Sequence, residues 1–242
     1  MFCALNGATR TPRRAQARRI PVTSNDFPAS ELVPVTSSPD MGHESTIGLM
    51  PSVHLVRHGR STWNEQGRIQ GQTPHPPLTE LGRTQALAAA RTLRAAIGAQ
   101  SAQMLSSDLV RAQQTAQIIG AALDLPVRTD VRLREQALGE MEGRLARELT
   151  AQPAPEGVPV EEVRWGGGES LLDVHRRLSA LMAELATAPI EHLVLVTHGD
   201  TLRMALAVLA GRTHRQLDWR LTIDNGSVHT TELDPAAAAL SR

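Results

Sequence analysis

Residues 192–199 read HLVLVTHG, and residues 52–59 read SVHLVRHG. Each is a short apolar run that stops at a His-Gly pair. The stretch His192–Thr197 is apolar almost throughout, as a strand in a sheet covered on both faces requires. Ser52–Arg57 is a strand of the same kind, ending abruptly at His58-Gly59. Around these runs, helical periodicity alternates with strand-like stretches. Residues 79–97 predict a helix with Thr79 as N-cap and Leu87, Ala90, Leu93 and Ile97 on its inner face. Residues 103–106 predict a strand, after which Ser107 is expected to cap a helix with Leu109, Ala112, Ala116, Ile119 and Leu123 inward. Residues 126–133 are strand-like. Ser170 and Asp173 have capping-box character and open a helix with Leu171, Leu178, Leu181, Met182 and Leu185 inward. Gly199–Leu209 is a further helix and 227–233 a late strand. The alternation predicts an α/β fold, a three-layer αβα sandwich around a mostly parallel central sheet. Ligands in such folds bind outside the carboxyl ends of the strands, where both His-Gly pairs fall.

Outward from this frame, residues 51–235 form one expected domain, and residues 1–50 an expected disordered tail without apolar periodicity. The tail opens with an Arg cluster at positions 10, 13, 14, 18 and 19, which leaves a transit peptide or a polyanion-binding arm as alternatives. Met41 or Met50 could also be the true start. The Pro/Gly-rich residues 151–168 predict a lid or a substrate-side rim.

Composition narrows the chemistry. A formal net charge of +0 gives no global field toward nucleic acid, and no run approaches the roughly 20 apolar residues of a membrane span. The single cysteine, Cys3, excludes an internal disulfide framework and fits a reducing, cytoplasmic setting. All 25 residues counted as Lys+Arg are arginine. A lysine-bearing phosphate loop and Schiff-base catalysis are therefore excluded. Side-chain phosphate binding falls to arginine, whose fork matches phosphate oxygens two at a time.

Three sets of residues carry the candidate chemistry. In the first, neutral His58 is a competent nucleophile toward phosphorus, with Arg57 beside it to neutralise phosphate charge. Ser61 and Asn64 add neutral donors, and Gln70-Gly71 sit where the chain could fold back over the site. The second is His198-Gly199, the matching turn, where a helix would aim its amide groups at the same space. The third is Arg111, near the start of a helix, and Glu135, a carboxylic acid able to protonate a leaving oxygen. Glu140 and Glu142 are the alternatives for that acid. A lone strand-terminal histidine is commonly structural; two matched turns are less so. A zinc site would need a third ligand, and His54, His75, His175 and His229 lie singly without ligand spacing. His54 is read as packed within its strand and His175 as lying on the polar side of its helix.

Taken together, LVRHGRSTWNEQGRIQGQTPHPPLTELGRTQA, SSDLVRAQQTA, LREQALGEMEGR, GGGES and LVTHGDTLRMAL resemble the histidine phosphatase superfamily, in its phosphoglycerate-mutase-like branch. The resemblance spans nearly all of 52–233 and implies a phosphoglycerate-mutase-like fold. It implies His58 as the phosphorylated nucleophile, Arg57, Arg111 and His198 as the phosphate pocket, and Glu135 as proton donor and then base toward water. Ser61, Asn64, Gln70, Gly71 and Gly199 become expected ligand contacts. It also implies no metal and no cofactor, a small phosphorylated substrate, no nucleic-acid or membrane partner, and a monomer or homodimer. Two positions depart from the family pattern. Met141 stands where an aromatic residue is common, which predicts a changed pocket wall. The acidic residue common before the Pro-Leu of this segment is absent, since His75-Pro76-Pro77-Leu78 stands there, which unsettles the substrate-side contacts. Only 63 positions separate Glu135 from His198, a span poor in basic residues, as in phosphatase members. The expectation is a metal-independent phosphomonoesterase; the alternatives are a cofactor-dependent phosphoglycerate mutase and an inactive interaction module.

Overall fold

A computed structural model describes residues 50–234. The expected tail at residues 1–50 therefore lies almost wholly outside the described residues. Five strands are present in them: β1 (Ser52–Arg57), β2 (Ala102–Ser106), β3 (Val127–Thr129), β4 (His192–Thr197) and β5 (Val228–Glu232). The helices are α1 (Thr62–Gln66), α2 (Glu80–Ile97), α3 (Val110–Leu123), α4 (Leu171–Leu185) and α5 (Gly199–Leu209), with a series of short 3-10 turns between β3 and α4.

The strands form one sheet in the order β3-β2-β4-β1-β5. All neighbours are parallel except β5, which runs antiparallel to β1. Alternation along β1 and β4 divides the core in two. Val53, Leu55, Leu193 and Leu195 pack with α4 and α5 residues such as Leu178, Leu181, Leu202 and Val208. Val56, Val194 and Val196 pack with Leu93, Ala112, Ala116 and Ile119 of α2 and α3. The expected three layers follow from this: six consecutive buried residues in β4 can only be accommodated where helices cover both faces.

The register sets the functional edge. β1 and β4 are direct neighbours, with Arg57 paired to Thr197. The residues that follow, His58 and His198, therefore leave the sheet side by side.

Several local expectations are corrected. Leu87 is 48% exposed, and the inner face of α2 is built by Gly82, Ala86, Ala89, Ala90, Leu93 and Ile97. Small residues there let α2 and α3 approach closely. Ser107 is not the cap of α3; Leu109 holds that position, without a side-chain cap bond. Of 126–133, only Val127–Thr129 is strand, and Val131–Leu133 closes into a 3-10 turn capped by Asp130. His175 faces inward at 6% exposure, its Nε2 3.0 Å from the Arg212 carbonyl. The Ser170–Asp173 capping box forms as expected.

Candidate active site

Gly59 is needed for backbone approach. A Cβ there would lie 2.2 Å from the Gly82 carbonyl oxygen, and one on Gly82 would lie 2.2 Å from the Arg60 carbonyl. The turn after β1 is thus packed main chain to main chain on the first turn of α2. Thr115 of α3 fixes it further: its hydroxyl accepts the Gly59 N–H at 3.1 Å and donates to the Arg111 carbonyl at 2.8 Å.

His58 is held within that turn at 2% exposure. Its Nδ1 lies 2.7 Å from the Gly59 carbonyl. A carbonyl only accepts, so Nδ1 carries the proton and Nε2 keeps its lone pair. Burial, then the Arg111 and Arg57 charges, hold the imidazole well below its usual pKa. His58 is accordingly a neutral, singly oriented base or nucleophile across the physiological range.

His198 faces it, ring centroids 5.1 Å apart and planes tilted by 59°. Its Nε2 lies 2.9 Å from the Ser107 hydroxyl, which accepts the Leu109 N–H at 3.3 Å. The hydroxyl can give its proton to Nε2, and in that tautomer the ring hydrogen lies on Nδ1. Burial, Arg111 and His58 together keep this ring neutral as well.

Arg57 and Arg111 flank the pair. Arg57 Nη1 donates to the Ile223 carbonyl at 2.5 Å, and its guanidinium lies over Gly199, where a Cβ would be 3.5 Å from Nε. Arg111 is 1% exposed, with its Nη atoms on the carbonyls of Thr73 and Gly71 at 2.9 and 2.7 Å. Burial lowers its pKa to about 10, so it remains a cation at neutral pH. Three buried donor atoms in this group have no hydrogen-bond partner: Arg57 Nε, Arg111 Nε and His198 Nδ1. Buried donors are nearly always satisfied, and three together around one nucleophile mark a site built for an anion.

Glu135 closes the edge. Its Oε1 accepts from Gln136 N, Thr201 N and Thr201 Oγ1 at 3.0 to 3.1 Å, and its Oε2 from Asp200 N at 3.3 Å. The first turn of α5 thus addresses a carboxylate of this chain, whereas the sequence suggested a helix end aimed at the ligand. Asp200 sits beside Glu135; burial and that neighbouring carboxylate raise its pKa to about 6.

The expected ligand contacts separate into groups. Ser61, Asn64 and Gln70 form one network at the start of α1, with Ser61 Oγ 2.8 Å from Gln70 Oε1 and 3.0 Å from Asn64 Oδ1. Gly71 is in the left-handed region at φ 46°, and its carbonyl serves Arg111; the space of a Cβ is filled by the Glu142 carboxylate 2.1 Å away.

Glu142 serves the loop that carries the partners of Arg111. It accepts from Gln72 N, Leu138 N and Thr73 Oγ1 at 2.8 to 2.9 Å, pinning the loop whose carbonyls hold Arg111. Glu140 is exposed and, with Met141, Arg144, Leu149, Thr150, Gln152 and Gly166, lines a cavity of about 140 Å³. His75 meets the Trp63 ring edge-on at 5.3 Å.

The glycine run 166–168 also acquires a reason. Cβ atoms on Gly166 and Gly168 would meet the carbonyls of Leu138 and Ala137 at 2.2 and 2.0 Å. This contact brings in Glu169, which accepts from Ala137 N at 3.0 Å and pairs with Arg177 at 2.9 Å. Arg177 Nη2 in turn donates to the Glu135 carbonyl at 3.2 Å. The residues whose part in the site sequence reasoning missed, Ser107, Thr115, Glu169, Arg177 and Thr201, all act by holding others in place.

Among the described residues, no group of three or more His, Cys, Asp or Glu side chains is placed to hold a metal ion, and no helix is long and apolar enough to cross a membrane.

Comparison with known proteins gives a consistent picture. The model of the histidine phosphatase superfamily (branch 1) matches residues 53–242. A protein of Yersinia pestis, "Probable phosphoglycerate mutase GpmB", is 38% identical over 172 residues, covering 67% of this chain and 76% of its own. The vanadate complex of mycobacterial glucosyl-3-phosphoglycerate phosphatase Rv2419c is 33% identical with a TM-score of 0.60, covering 74% of this chain and 90% of its own. A candidate alpha-ribazole-5'-P phosphatase from Escherichia coli K-12 is 26% identical with a TM-score of 0.66, covering 76% and 91%.

Proposed function

The chain belongs to the histidine phosphatase superfamily, branch 1, and from that premise we propose that it hydrolyses small phosphate monoesters through a phosphohistidine at His58, without a metal. The observation that carries this reading is the cluster of three unpartnered buried donors, Arg57 Nε, Arg111 Nε and His198 Nδ1, beside a histidine whose Nε2 is free. Those donors match the charge of a transferring phosphoryl group, and two guanidinium groups supply the neutralisation that a metal would otherwise give.

In the first step His58 Nε2 attacks phosphorus in line. The P–N bond forms as the ester P–O bond breaks, and Glu135 gives its proton to the departing alcohol oxygen. In the second, Glu135 takes a proton from water as the water oxygen attacks phosphorus. The P–N bond then breaks, phosphate leaves, and His58 and Glu135 are restored. Asn64 and Ser61 contact the phosphoryl oxygens in this reading.

Hydrolysis is preferred to mutase action because few basic side chains lie between Glu135 and His198 to grip a second phosphate or a carboxylate. The similarity to GpmB, itself called a probable phosphoglycerate mutase, supports the second reading. The two named phosphatase neighbours point to a phosphate ester of a larger hydroxylated group as substrate. Assay against a panel of phosphomonoesters that includes 3-phosphoglycerate, in excess EDTA, tests the proposal. Phosphate release from several esters is expected. Conversion of 3- to 2-phosphoglycerate without release would replace it with the mutase reading.

A further inference from the structure

The segment 223–227, Ile-Asp-Asn-Gly-Ser, connects α5 to β5 and lies against the residues at the end of β1. Arg57 N donates to the Ser227 carbonyl at 3.1 Å, and Gly226 N to the Arg57 carbonyl at 3.0 Å. Arg57 Nη1 reaches the Ile223 carbonyl at 2.5 Å. Ser227 N closes the turn on the Asp224 carbonyl at 3.1 Å, with Gly226 at φ 77°. A Cβ on Gly226 would lie 2.7 Å from Gln85 Cβ, so the turn is wedged between β1 and α2.

Asn225 is the side chain this turn delivers. Its Nδ2 donates to the His58 carbonyl at 3.1 Å and to Asn64 Oδ1 at 3.3 Å. Carboxamide ends are usually assigned by inference, but here main-chain groups decide both. The His58 carbonyl can only accept, so the Asn225 atom facing it is nitrogen. Ser61 N–H can only donate, at 3.0 Å, so the Asn64 atom facing it is oxygen. The Ser61 hydroxyl has one proton to share between Asn64 Oδ1 and Gln70 Oε1, so it cannot fix Asn64 by itself. Two firm donors, Ser61 N and Asn225 Nδ2, therefore converge on Asn64 Oδ1. The Nδ2 end of the same planar group is turned away from them.

We infer that Asn225 is a positioning residue for the phosphoryl-transfer site, fixing the Asn64 carboxamide so that its NH₂ end faces the phosphoryl oxygens. The inference rests on the phosphatase reading above, in which Asn64 touches the substrate. One side chain ties the main chain of the nucleophile to the orientation of a donor six residues later. Without it, the Ser61 N–H alone holds Asn64 Oδ1, and the carboxamide is less tightly set toward the anion.

A double-mutant cycle with p-nitrophenyl phosphate tests this, with thermal melting run in parallel. Asn225→Ala is expected to lower kcat/KM by about tenfold, the order of one misdirected hydrogen bond to a charged group, with the melting temperature little changed. Asn225→Asp keeps the shape but sets an acceptor against Asn64 Oδ1 and the His58 carbonyl, and is expected to lose more. It also serves as the second variant if alanine does not fold. In an Asn64→Ala background, Asn225→Ala should cost no more than about threefold further, because the group it orients is gone, and Asn225→Asp should lose less than it does in the wild type. Multiplied losses in the double variant, or wild-type kcat/KM in both single variants, would overturn the role of Asn225 alone. A wild-type enzyme that releases no p-nitrophenol would end the phosphatase reading and this inference with it.

Discussion

Glu135 receives both the main-chain N–H and the hydroxyl of Thr201, at 3.1 and 3.0 Å on the same carboxylate oxygen. The candidate acid is thus fixed by the helix that begins at the second histidine turn. A carboxamide oxygen can keep the three donors on Oε1, but its NH₂ end would face the Asp200 N–H that Oε2 accepts at 3.3 Å.

Glu135→Gln should therefore give up only the long Asp200 N–H bond while removing the transferable proton. Hydrolysis of alkyl phosphates, whose alkoxides leave poorly, should fall by about 10²–10⁴. Aryl phosphates should fall far less in the first step. Paired kcat measurements on the two substrate types check this, and an equal loss on both would remove Glu135 from the role of leaving-group acid.

His58→Ala should abolish turnover and leave no acid-labile phosphate on the protein after quenching with a labelled ester. The wild type should carry that label at one residue and keep its rate in excess EDTA. Label surviving in His58→Ala would show that another group is the nucleophile.

Glu142→Ala should act at a distance. It unties Gln72, Thr73 and Leu138 from one carboxylate and so loosens the carbonyls that hold Arg111. KM should rise by roughly tenfold or more, with a loss of about 1–3 kcal/mol in stability from the stranded donors. Saturation curves and urea unfolding of the same preparation check the two effects. An unchanged KM would uncouple the 71–73 loop from phosphate binding.

The fold should weaken on mild acidification. His54, at 1% exposure, is lowered to about 4 by burial and the neighbouring His192, and spans from His192 Nδ1 to Thr230 Oγ1 at 2.9 Å each. Its folded pKa lies below the unfolded value near 6.5, so the unfolded chain binds more protons in that window. Stability present above pH 6.5 is lost as the pH falls toward 4. This residue contributes about 2 kcal/mol of that loss between pH 7 and pH 5, and buried His58 and His198 act in the same direction. Urea midpoints at pH 7 and pH 5 should differ, and His54→Leu should narrow the difference. A midpoint that does not move would place the unfolded-state protonation elsewhere.

The strongest features of the sequence were those whose cause is local. β4 was legible because the unbroken apolar run Leu193–Val196 fits a sheet covered twice, and β1 because it too ends at His-Gly. The Ser170 box was legible because the whole motif lies within four residues. Ser107 was misread because a hydroxyl before a helix looks the same whether it caps that helix or turns to a histidine 91 positions away. Leu87 was misplaced because α2 is rich in alanine on several faces, which blurs its period. Glu142 and Glu135 are alike as sequence; what differs is where their donors come from, the 71–73 loop and Leu138 for Glu142, the first turn of α5 behind the second histidine for Glu135. Asn225 stood in Asp-Asn-Gly, which turn chemistry alone explains.

The clasp at 223–227 also bears on how the enzyme is made. Asn225 follows His58 by 167 positions, and β5 is downstream of every other described element. At a synthesis rate of about 5–20 residues per second, roughly 10–30 s pass between the two residues at the ribosome. Through that interval the nascent chain has His58 and its turn but not the 223–227 segment, so the candidate site stays incomplete long after its first histidine is made.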